Sequence, residues 1–280
     1  MYPTLVEQSN VALARHLELA EASYWSALYP PFYDSTSSLL GAFPRWFGDA
    51  FAGALANVDI LAFNRVTGLG MEQRITPDQV DEITAHYQTA GVRRFFVQVS
   101  PNALPPEAAE MMEEKGFQLY NYWAKLYRPL REPVPALRSN LRISPVQGDE
   151  TEDYGRLLCR AFQWPEVLSP LFAQTVGWPG YRQYFVRDGK TIIAAGALYQ
   201  YQDIACLAIA GTLAEHRGKG AQQLLLNHRI REAFRSDCRH LIGETAENRP
   251  DRPVTSYRNM LRAGMQLVYL RPNYLYQFGE

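Results

Sequence analysis

Apolar runs typical of β-strands alternate with stretches of helical apolar spacing along the C-terminal half of the 280-residue chain. The predicted strands cover residues 141–146, 181–186, 191–199, 204–213, 240–245 and 266–278. The predicted helices cover residues 152–162, 165–176, 221–236 and 254–263. Asp188-Gly189, between the second and third strands, is the two-residue turn signal of a β-hairpin. Strands that alternate with helices predict an α/β fold, with α+β character and a mixed sheet.

The N-terminal half has a less regular pattern. A helix is predicted at 5–28 and another at 77–90, where Thr76 provides a capping box. Strands are predicted at 57–66 and 92–99. These elements are compatible with the fold class of the C-terminal half.

Three pairs of segments repeat in the same order at separations of 146 to 150 residues. The pairs are 68–73 with 218–223, 95–99 with 241–245, and 112–119 with 260–267. Repetition at nearly one separation predicts a duplicated domain. Pro129, Pro133 and Pro135 lie between the copies, in a stretch that cannot be regular helix or central strand. We therefore predict domains at 1–130 and 139–280, joined by a linker at about 129–138.

A glycine-rich loop lies between a predicted strand and a predicted helix of the C-terminal half. Gly218 and Gly220 allow positive φ and a close backbone approach, and Arg217 and Lys219 add positive charge. This arrangement directs backbone N–H groups and a helix N-terminus at a phosphate. The loop is neither a P-loop nor G-x-G-x-x-G, since Gln223 occupies the third glycine position.

A second motif lies downstream, where Ser256, Arg258 and Asn259 occupy a short predicted helix that Gly264 ends as its C′ residue. The two segments together resemble the GNAT superfamily of N-acetyltransferases. In that superfamily an acyl-CoA pyrophosphate loop reads Arg/Gln-x-x-Gly-x-Gly/Ala, and one large subset has a Ser-x-Arg-Asn helix that ends at Gly-Phe. The resemblance implies two GNAT-like acyl-CoA N-acyltransferase domains in tandem.

The match to the loop rests on Arg217 and Gly220, and three positions depart from the family pattern. Gln222 stands where Gly or Ala is usual, Ala214 stands where Pro is common, and Met265 replaces the Phe of Gly-Phe. The resemblance implies that acetyl-CoA, or another acyl-CoA, is the cosubstrate. Its expected contacts are Gly211, Thr212, Leu213, Arg217, Gly218, Lys219, Gly220, Ala221, Gln222, Ser256 and Asn259.

In the superfamily, a backbone N–H at a splay in the strand before the loop polarises the thioester carbonyl. Here this donor maps to Thr212 or to its neighbours Gly211 and Leu213. A backbone donor aimed at the developing oxyanion can contribute about 3 kcal/mol. Ser256 is equally suited to capping its helix.

Proton transfer is the other chemical requirement, because an alkyl amine with a pKa near roughly 10 is mostly protonated at neutral pH. Glu244 at the end of a strand is the first candidate base, and Glu215 in the loop is a weaker one. The position of the family's general acid, a Tyr, is occupied by Met260, which cannot donate a proton. Tyr257 and Tyr269 are possible substitutes by their proximity in sequence.

The N-terminal copy lacks these loop features. Thr67 and Leu69 stand where the other copy has Arg217 and Lys219, and the predicted helix begins only at Pro77. We predict that this half keeps the fold and has lost the cofactor.

Composition limits the class of partner. A net charge of −1 argues against bulk electrostatic binding to nucleic acid or to an anionic membrane. Cys159, Cys206 and Cys238 lack metal-ligand spacing and are expected to be buried thiols in a reducing compartment. No apolar stretch is long enough to span a bilayer. We expect a cytoplasmic monomer or homodimer without a metal.

The leading prediction is an acetyl-CoA-dependent N-acetyltransferase that acts on an amine of a small molecule. Two alternatives stay open: the transfer of a different acyl or aminoacyl group, and a catalytically inactive module that binds and senses acyl-CoA.

Overall fold

A computed structural model describes residues 11–29 and 35–279 of the chain. The chain divides into two compact units: unit 1 contains Met1–Lys125 and Leu267–Glu280, and unit 2 contains Leu126–Gln266. These units differ from the predicted domains 1–130 and 139–280 at two places. Residues 126–130 and the predicted linker at 129–138 belong to unit 2, and residues from 267 onward belong to unit 1. Unit 1 is therefore built from both ends of the chain.

The helices and strands follow one another in the order that the apolar pattern predicts for the C-terminal half. The α-helices are α1 (Val11–Leu28), α2 (Ser35–Leu40), α3 (Pro77–Thr89), α4 (Ala108–Glu114), α5 (Thr151–Phe162), α6 (Ser169–Ala173), α7 (Ala221–Arg235) and α8 (Thr255–Arg262). The first strands are β1 (Arg45–Phe47), β2 (Ala50–Gly53), β3 (Arg65–Thr67), β4 (Arg94–Gln98), β5 (Gln118–Pro129) and β6 (Arg142–Pro145). The remaining strands are β7 (Tyr181–Asp188), β8 (Thr191–Tyr201), β9 (Ile204–Cys206), β10 (Ala210–Thr212), β11 (His240–Ala246) and β12 (Gln266–Gln277).

Two helix predictions need adjustment. The helix expected at 165–176 is a 3₁₀ turn at Glu166–Leu168 followed by the five-residue α6. Residues 5–10 of the helix expected at 5–28 lie outside the described residues. The helix expected at 77–90 is confirmed as α3, with the Thr76 hydroxyl accepting a hydrogen bond from the Gln79 N–H at 3.2 Å.

In unit 1 the strand order is β1-β2-β3-β4-β12-β5, to which β5 contributes its residues up to Lys125. β3 pairs with β4 in parallel, and β12 pairs with β4 in antiparallel fashion. The sheet of unit 1 is therefore mixed, as the sequence predicts.

The strand predicted at 57–66 is wrong except for its last two residues, which belong to β3. Residues 54–64 form turns and irregular chain instead, around the buried side chain of Asn64. Its amide oxygen accepts from the Leu55 N–H at 2.7 Å, and its amide nitrogen donates to the Val58 carbonyl at 2.8 Å. A side chain that satisfies backbone groups locally competes with strand pairing.

A buried ionic cluster lies in unit 1. Glu18 and Glu21 of α1 are bonded to Arg271 of β12, and Lys125 of β5 bonds to Glu21; all four are almost fully buried. Burial by itself raises the pKa of Glu21, but the positive charges of Arg271, Lys125 and Arg65 outweigh it and lower the pKa to about 2. Glu21 is therefore charged at neutral pH and ties α1 to the last strand.

In unit 2 the strand order is β5-β11-β9-β8-β7-β6. The part of β5 from Leu126 onward belongs to this unit, and β10 pairs with β8. The predicted hairpin is confirmed by antiparallel β7 and β8, joined at Gly189 with a φ of +60°. β9 pairs with β11 in parallel. Helices α5 and α7 both contact β8 and β10.

The repeated segments share the conformation of their glycines in both copies. Gly116 follows α4 and Gly264 follows α8, both with positive φ and each before a 12-residue strand. The glycine loops at 68–70 and 218–220 also share positive φ at both glycines. The surroundings of the two loops differ, because a Cβ at Gly68 or Gly70 would meet neighbouring atoms and a Cβ at Gly218 or Gly220 would meet none within 4 Å.

Candidate active site

A β-bulge interrupts the strand predicted at 204–213, so the prediction of one continuous strand is wrong. β9 ends its pairing with β8 at Cys206, opposite Tyr199, and β10 resumes the pairing at Ala210, opposite Gly196. The three residues between these two positions therefore lie opposite two residues of β8. One inserted residue of this kind defines a bulge.

After the bulge, β10 has one paired edge and one open edge. It pairs with β8, and no strand of the described residues pairs with its other edge. β9, by contrast, pairs with both β8 and β11. The strand pair formed by β9 and β11 therefore splays apart at the bulge.

The open edge of β10 carries two of its backbone N–H groups. The Leu213 N–H donates to the Ile193 carbonyl of β8 at 3.0 Å. Because alternate residues face the same edge, Gly211 also faces β8, whereas Ala210 and Thr212 direct their N–H groups to the open edge. Of the three residues predicted to donate to an acyl carbonyl, only Thr212 directs its N–H to the open edge. Ala210, which was not among the predicted residues, has the same orientation.

Gly211 lets β10 approach α5 closely. A Cβ at this position would lie 2.6 Å from the Cβ of Ala161 and 3.2 Å from the ring of Phe162. Any larger residue would push the strand and the helix apart. The end of α5 therefore lies directly against the strand that carries the open edge.

The glycine loop faces open space. Gly218 and Gly220 both have a φ of +82°, and a Cβ built at either would meet no atom within 4 Å. Gly220 is the N-cap of the 15-residue helix α7, and no side chain caps that helix. The N–H groups at the start of α7, from Ala221 onward, therefore keep an uncompensated positive potential that suits an anion.

The two cations of the loop are held by different contacts. Arg217 donates to the Ala161 carbonyl at 3.2 Å and to the Thr212 carbonyl at 3.4 Å, so it braces the loop against α5. Lys219 pairs with Asp188 at 3.0 Å, and both side chains are half exposed. An exposed pair of this kind contributes little, so Lys219 can exchange its partner for another anion.

Helix α8 is tied to the first turn of α7. The buried Asn259 donates from Nδ2 to Oε1 of Gln222 at 2.6 Å, and its Oδ1 accepts from Arg262 at 3.1 Å. Gln222, which departs from the family pattern, is thus engaged by α8. A contact of Asn259 with a cofactor stays a prediction.

β11 extends beyond the end of its pairing with β9. Ile242 is the last residue paired with β9, and the half-buried Glu244 and Thr245 follow it. The Thr245 hydroxyl is hydrogen-bonded to the hydroxyl of Ser256 in α8. The N-cap of α8 is Val254, so the alternative that Ser256 caps this helix is wrong. Glu244 therefore lies on β11, the strand from which the chain separates after β9.

Two acid–base candidates make structural contacts. Tyr269 is buried in unit 1, where its hydroxyl donates to Glu18. Burial and the charge of Glu18 raise the pKa of Tyr269 well above its ordinary value, so the hydroxyl keeps its proton at neutral pH. These contacts give no support to Tyr269 as a catalytic acid. Glu215 pairs with Arg160 at 3.1 Å on the surface.

The corresponding loop of unit 1 is filled. A Cβ at Gly68 or Gly70 would lie 2.9 Å from a backbone oxygen of a neighbouring segment. The buried carboxylate of Asp49 accepts hydrogen bonds from the backbone N–H groups of Glu72 and Gln73, which follow the loop. A carboxylate of the chain itself therefore takes the place that a ligand phosphate would need.

Unit 1 also lacks the splay next to its loop. β3 pairs in parallel with β4 up to Val66, two residues before Gly68. In unit 2 the parallel pairing ends at Cys206, well before Gly218. The closed pairing and the filled loop support the prediction that the N-terminal copy has lost the cofactor.

The three cysteines are buried and not joined in disulfide bonds. They are Cys159, Cys206 and Cys238, and burial raises the pKa of Cys159 and Cys238 to about 11. Within residues 11–29 and 35–279, no three His, Cys, Asp or Glu side chains come together as metal ligands would. None of the helices in these ranges combines the length and the apolar character needed to cross a bilayer.

The splayed strand, the glycine loop and the helix that follows it have the architecture of a GNAT domain. No protein-family model and no curated protein sequence matches the chain. Solved structures do match it. A GCN5-related N-acetyltransferase from Kribbella flavida is 14% identical, with a TM-score of 0.62 and 98% of each chain covered.

Two further structures give the same result. A tandem GNAT protein from the clavulanic acid biosynthesis pathway is 14% identical, with a TM-score of 0.57 and coverage of 98% of this chain and 97% of that one. A GCN5-related N-acetyltransferase from Sphaerobacter thermophilus is 17% identical at a TM-score of 0.58, and the match covers 71% of this chain and 66%, just under two thirds, of that one. The chain therefore has the GNAT fold, in a tandem arrangement.

Proposed function

We propose that unit 2 binds acetyl-CoA or another acyl-CoA and transfers the acyl group to an amine of a small molecule, while unit 1 binds no cofactor. The observation that carries this proposal is the open edge of β10, followed within a few residues by the open glycine loop at 218–220. A thioester joined by an extended arm to a diphosphate matches these two features in their order along the chain.

The proposed chemistry assigns a role to each feature. The diphosphate binds the N–H groups that begin α7. The acyl carbonyl accepts a hydrogen bond from Ala210 or Thr212, which stabilises the oxyanion formed when the amine attacks. The new C–N bond forms as the C–S bond breaks. The proton of the attacking amine passes to Glu244, directly or through water. The leaving thiolate takes up a proton from water, and Glu244 releases its proton to solvent before the next turnover.

Calorimetric titration with CoA, combined with thiol release from acetyl-CoA and a panel of amines, tests this proposal. We expect CoA to bind at one site per chain, because the loop of unit 1 is filled, and at least one amine to release thiol. Absence of CoA binding would contradict the proposal. The acceptor panel contains small amines, since a net charge of −1 does not favour a strongly basic protein substrate.

An acyl-CoA sensor is the second candidate, and one observation favours it. Met260 occupies the position of the family's general acid, and its sulfur would lie 3.3 Å from a Cβ built at Gly243 of β11. A thioether at this place cannot protonate the leaving thiolate. Binding of CoA without thiol release on any amine would favour the sensor.

Replacement of Glu244 by glutamine is expected to lower turnover more at pH 7 than at pH 9. At pH 7 an alkyl amine with a pKa near roughly 10 is mostly protonated and needs a base, whereas at pH 9 a larger fraction is already neutral. The measurement is kcat/KM for the best amine at both values of pH. Glu247→Gln, a change of the same chemistry three residues away, is the control. An equal loss at both values of pH would remove Glu244 as the base.

A further inference from the structure

Arg229 occupies an unusual position on helix α7. It lies on the buried stripe of the helix beside Leu226 and Ile230, and it is 3% exposed. Its Nη1 donates to the carbonyls of Ala197 and Ala208, at 3.0 Å each. A buried guanidinium is destabilising unless it is hydrogen-bonded. Arg229 occupies a position where an apolar side chain is usual, and these two hydrogen bonds offset the cost of its burial.

One of the two carbonyls lies within the bulged segment, and the other lies on the strand opposite it. Ala197 belongs to β8, and Ala208 is the middle one of the three residues between β9 and β10. The Ala208 N–H turns back to the Cys206 carbonyl at 2.8 Å. A bulge leaves its extra residue outside the regular ladder, and here Arg229 links the carbonyl of that residue to the opposite strand with charge-assisted hydrogen bonds.

The bulge determines which N–H groups of β10 point to the open edge. The Leu207 N–H donates to the Ile242 carbonyl of β11 at 2.8 Å, so Leu207 faces away from β8. If the same residues alternated strictly from Leu207 onward, Ala210 and Thr212 would turn toward β8. Because the bulge breaks this alternation, the two residues face the open edge, and Leu213 donates to β8.

We infer that Arg229 is a positioning residue, which anchors the bulge at 207–209 and thereby aims the N–H groups of Ala210 and Thr212 at the acyl carbonyl. The part that concerns the carbonyl rests on the proposed function. The anchoring of the bulge does not depend on it. The two carbonyls that Arg229 binds lie at the bulge, ten or more residues before the glycine loop at 218–220, so its loss should affect the acyl carbonyl rather than the diphosphate.

Three variants separate this role from general stability. Arg229→Met removes the donors at similar volume, and Arg229→Lys keeps the charge and donor protons. Arg235→Met is the matched control, because Arg235 lies on the same helix, is exposed and pairs only with Glu232 among the described ion pairs. Thermal unfolding of each variant establishes which ones are folded at the assay temperature.

The first measurement uses acetyl-CoA labelled with ¹³C at the carbonyl. In the wild type we expect a downfield shift of the bound carbonyl, which reports its hydrogen bond. In Arg229→Met we expect this shift to be largely lost while the affinity for CoA itself stays unchanged. We expect kcat to fall by about 10-fold to 100-fold, somewhat less than the roughly 100-fold to 1,000-fold effect of removing one oxyanion donor outright. Arg229→Lys should restore part of the shift, and Arg235→Met all of it.

The second measurement is amide hydrogen exchange without ligand. Arg229→Met should speed the exchange of the amides of Ala197, opposite the bulge, and of Leu207, within it, more than that of the amides of β7. If Arg229→Met does not fold, the comparison of Arg229→Lys with the wild type applies to both measurements. An unchanged carbonyl shift and unchanged exchange in a folded variant would overturn the inference. Failure of the wild type to bind acetyl-CoA would instead overturn the proposed function, while the exchange data would still test the anchoring.

Discussion

Substitution of Gly220 by aspartate is expected to weaken the binding of CoA by at least about 100-fold, which corresponds to about 2.8 kcal/mol. Gly220 has a φ of +82°, a conformation that costs an L-residue about 1–2 kcal/mol. The new carboxylate would also stand in front of the N–H groups that begin α7. At 4 Å and an effective dielectric constant near 20, two like charges repel by about 4 kcal/mol. Calorimetric titration with CoA measures the effect.

Unit 1 illustrates the physical basis of this expectation, because the carboxylate of Asp49 already occupies the N–H groups after the loop at 68–70. The matched control is Gly91→Asp, since Gly91 has a φ of +76° and a Cβ there would meet no atom within 4 Å. Gly70 is unsuitable as a control, because a Cβ added there would lie 2.9 Å from the backbone oxygen of Leu104. Unchanged CoA affinity in Gly220→Asp would refute the assignment of the loop.

Replacement of Arg271 by methionine is expected to destabilise unit 1 by about 3–5 kcal/mol. Arg271 is 1% exposed and donates to both Glu18 and Glu21. Its loss leaves two buried carboxylates with Lys125 as their nearest remaining described ion-pair partner. An uncompensated buried charge costs far more than the net contribution of the intact pair. Chemical unfolding followed by circular dichroism gives the change in the free energy of unfolding.

The same variant changes the dependence of stability on pH. In the wild type the pKa of Glu21 is lowered from an ordinary value of 4.5 to about 2. Its contribution to stability is therefore complete above pH 4.5 and is lost as the pH falls toward 2. Without Arg271 the lowering is smaller, so the loss of stability should still begin near pH 4.5 but should end at a higher pH and be smaller in total.

Arg249→Met is the control for this prediction, because Arg249 forms an exposed pair with Asp251. Its effect on the free energy of unfolding should stay within about 0.5 kcal/mol, as for most surface substitutions. If Arg271→Met were as stable as Arg249→Met, the ionic cluster would not hold α1 to β12.

Local patterns were sufficient for several elements of both units. The hairpin at Gly189 and the helix after Gly220 in unit 2, and the cap at Thr76 in unit 1, each depend on a conformation that a few neighbouring residues specify. The strand predicted at 57–66 failed for the opposite reason. The Asn64 side chain satisfies backbone groups of Leu55 and Val58, and such pairing is invisible to a pattern of apolar positions.

The candidate site was only partly accessible from sequence. The loop from Arg217 to Gly220 was found, because glycine spacing and charge are local properties. The register of β10 was not found, because it depends on β8 and on Arg229, which follows 20 residues after Ile209. One signal was present in the sequence: an arginine stands on the apolar stripe of a helix, where leucine or isoleucine is expected.

The sequence by itself determined the order of the elements, the duplicated glycine loops and the resemblance to the GNAT superfamily, because these depend on residues close together along the chain. Only the tertiary structure decided that the last strand belongs to unit 1, that Asp49 fills one of the two loops, and that a bulge selects Ala210 and Thr212 at the open edge. Each of these depends on contacts between residues far apart in sequence, whose energies no local pattern records.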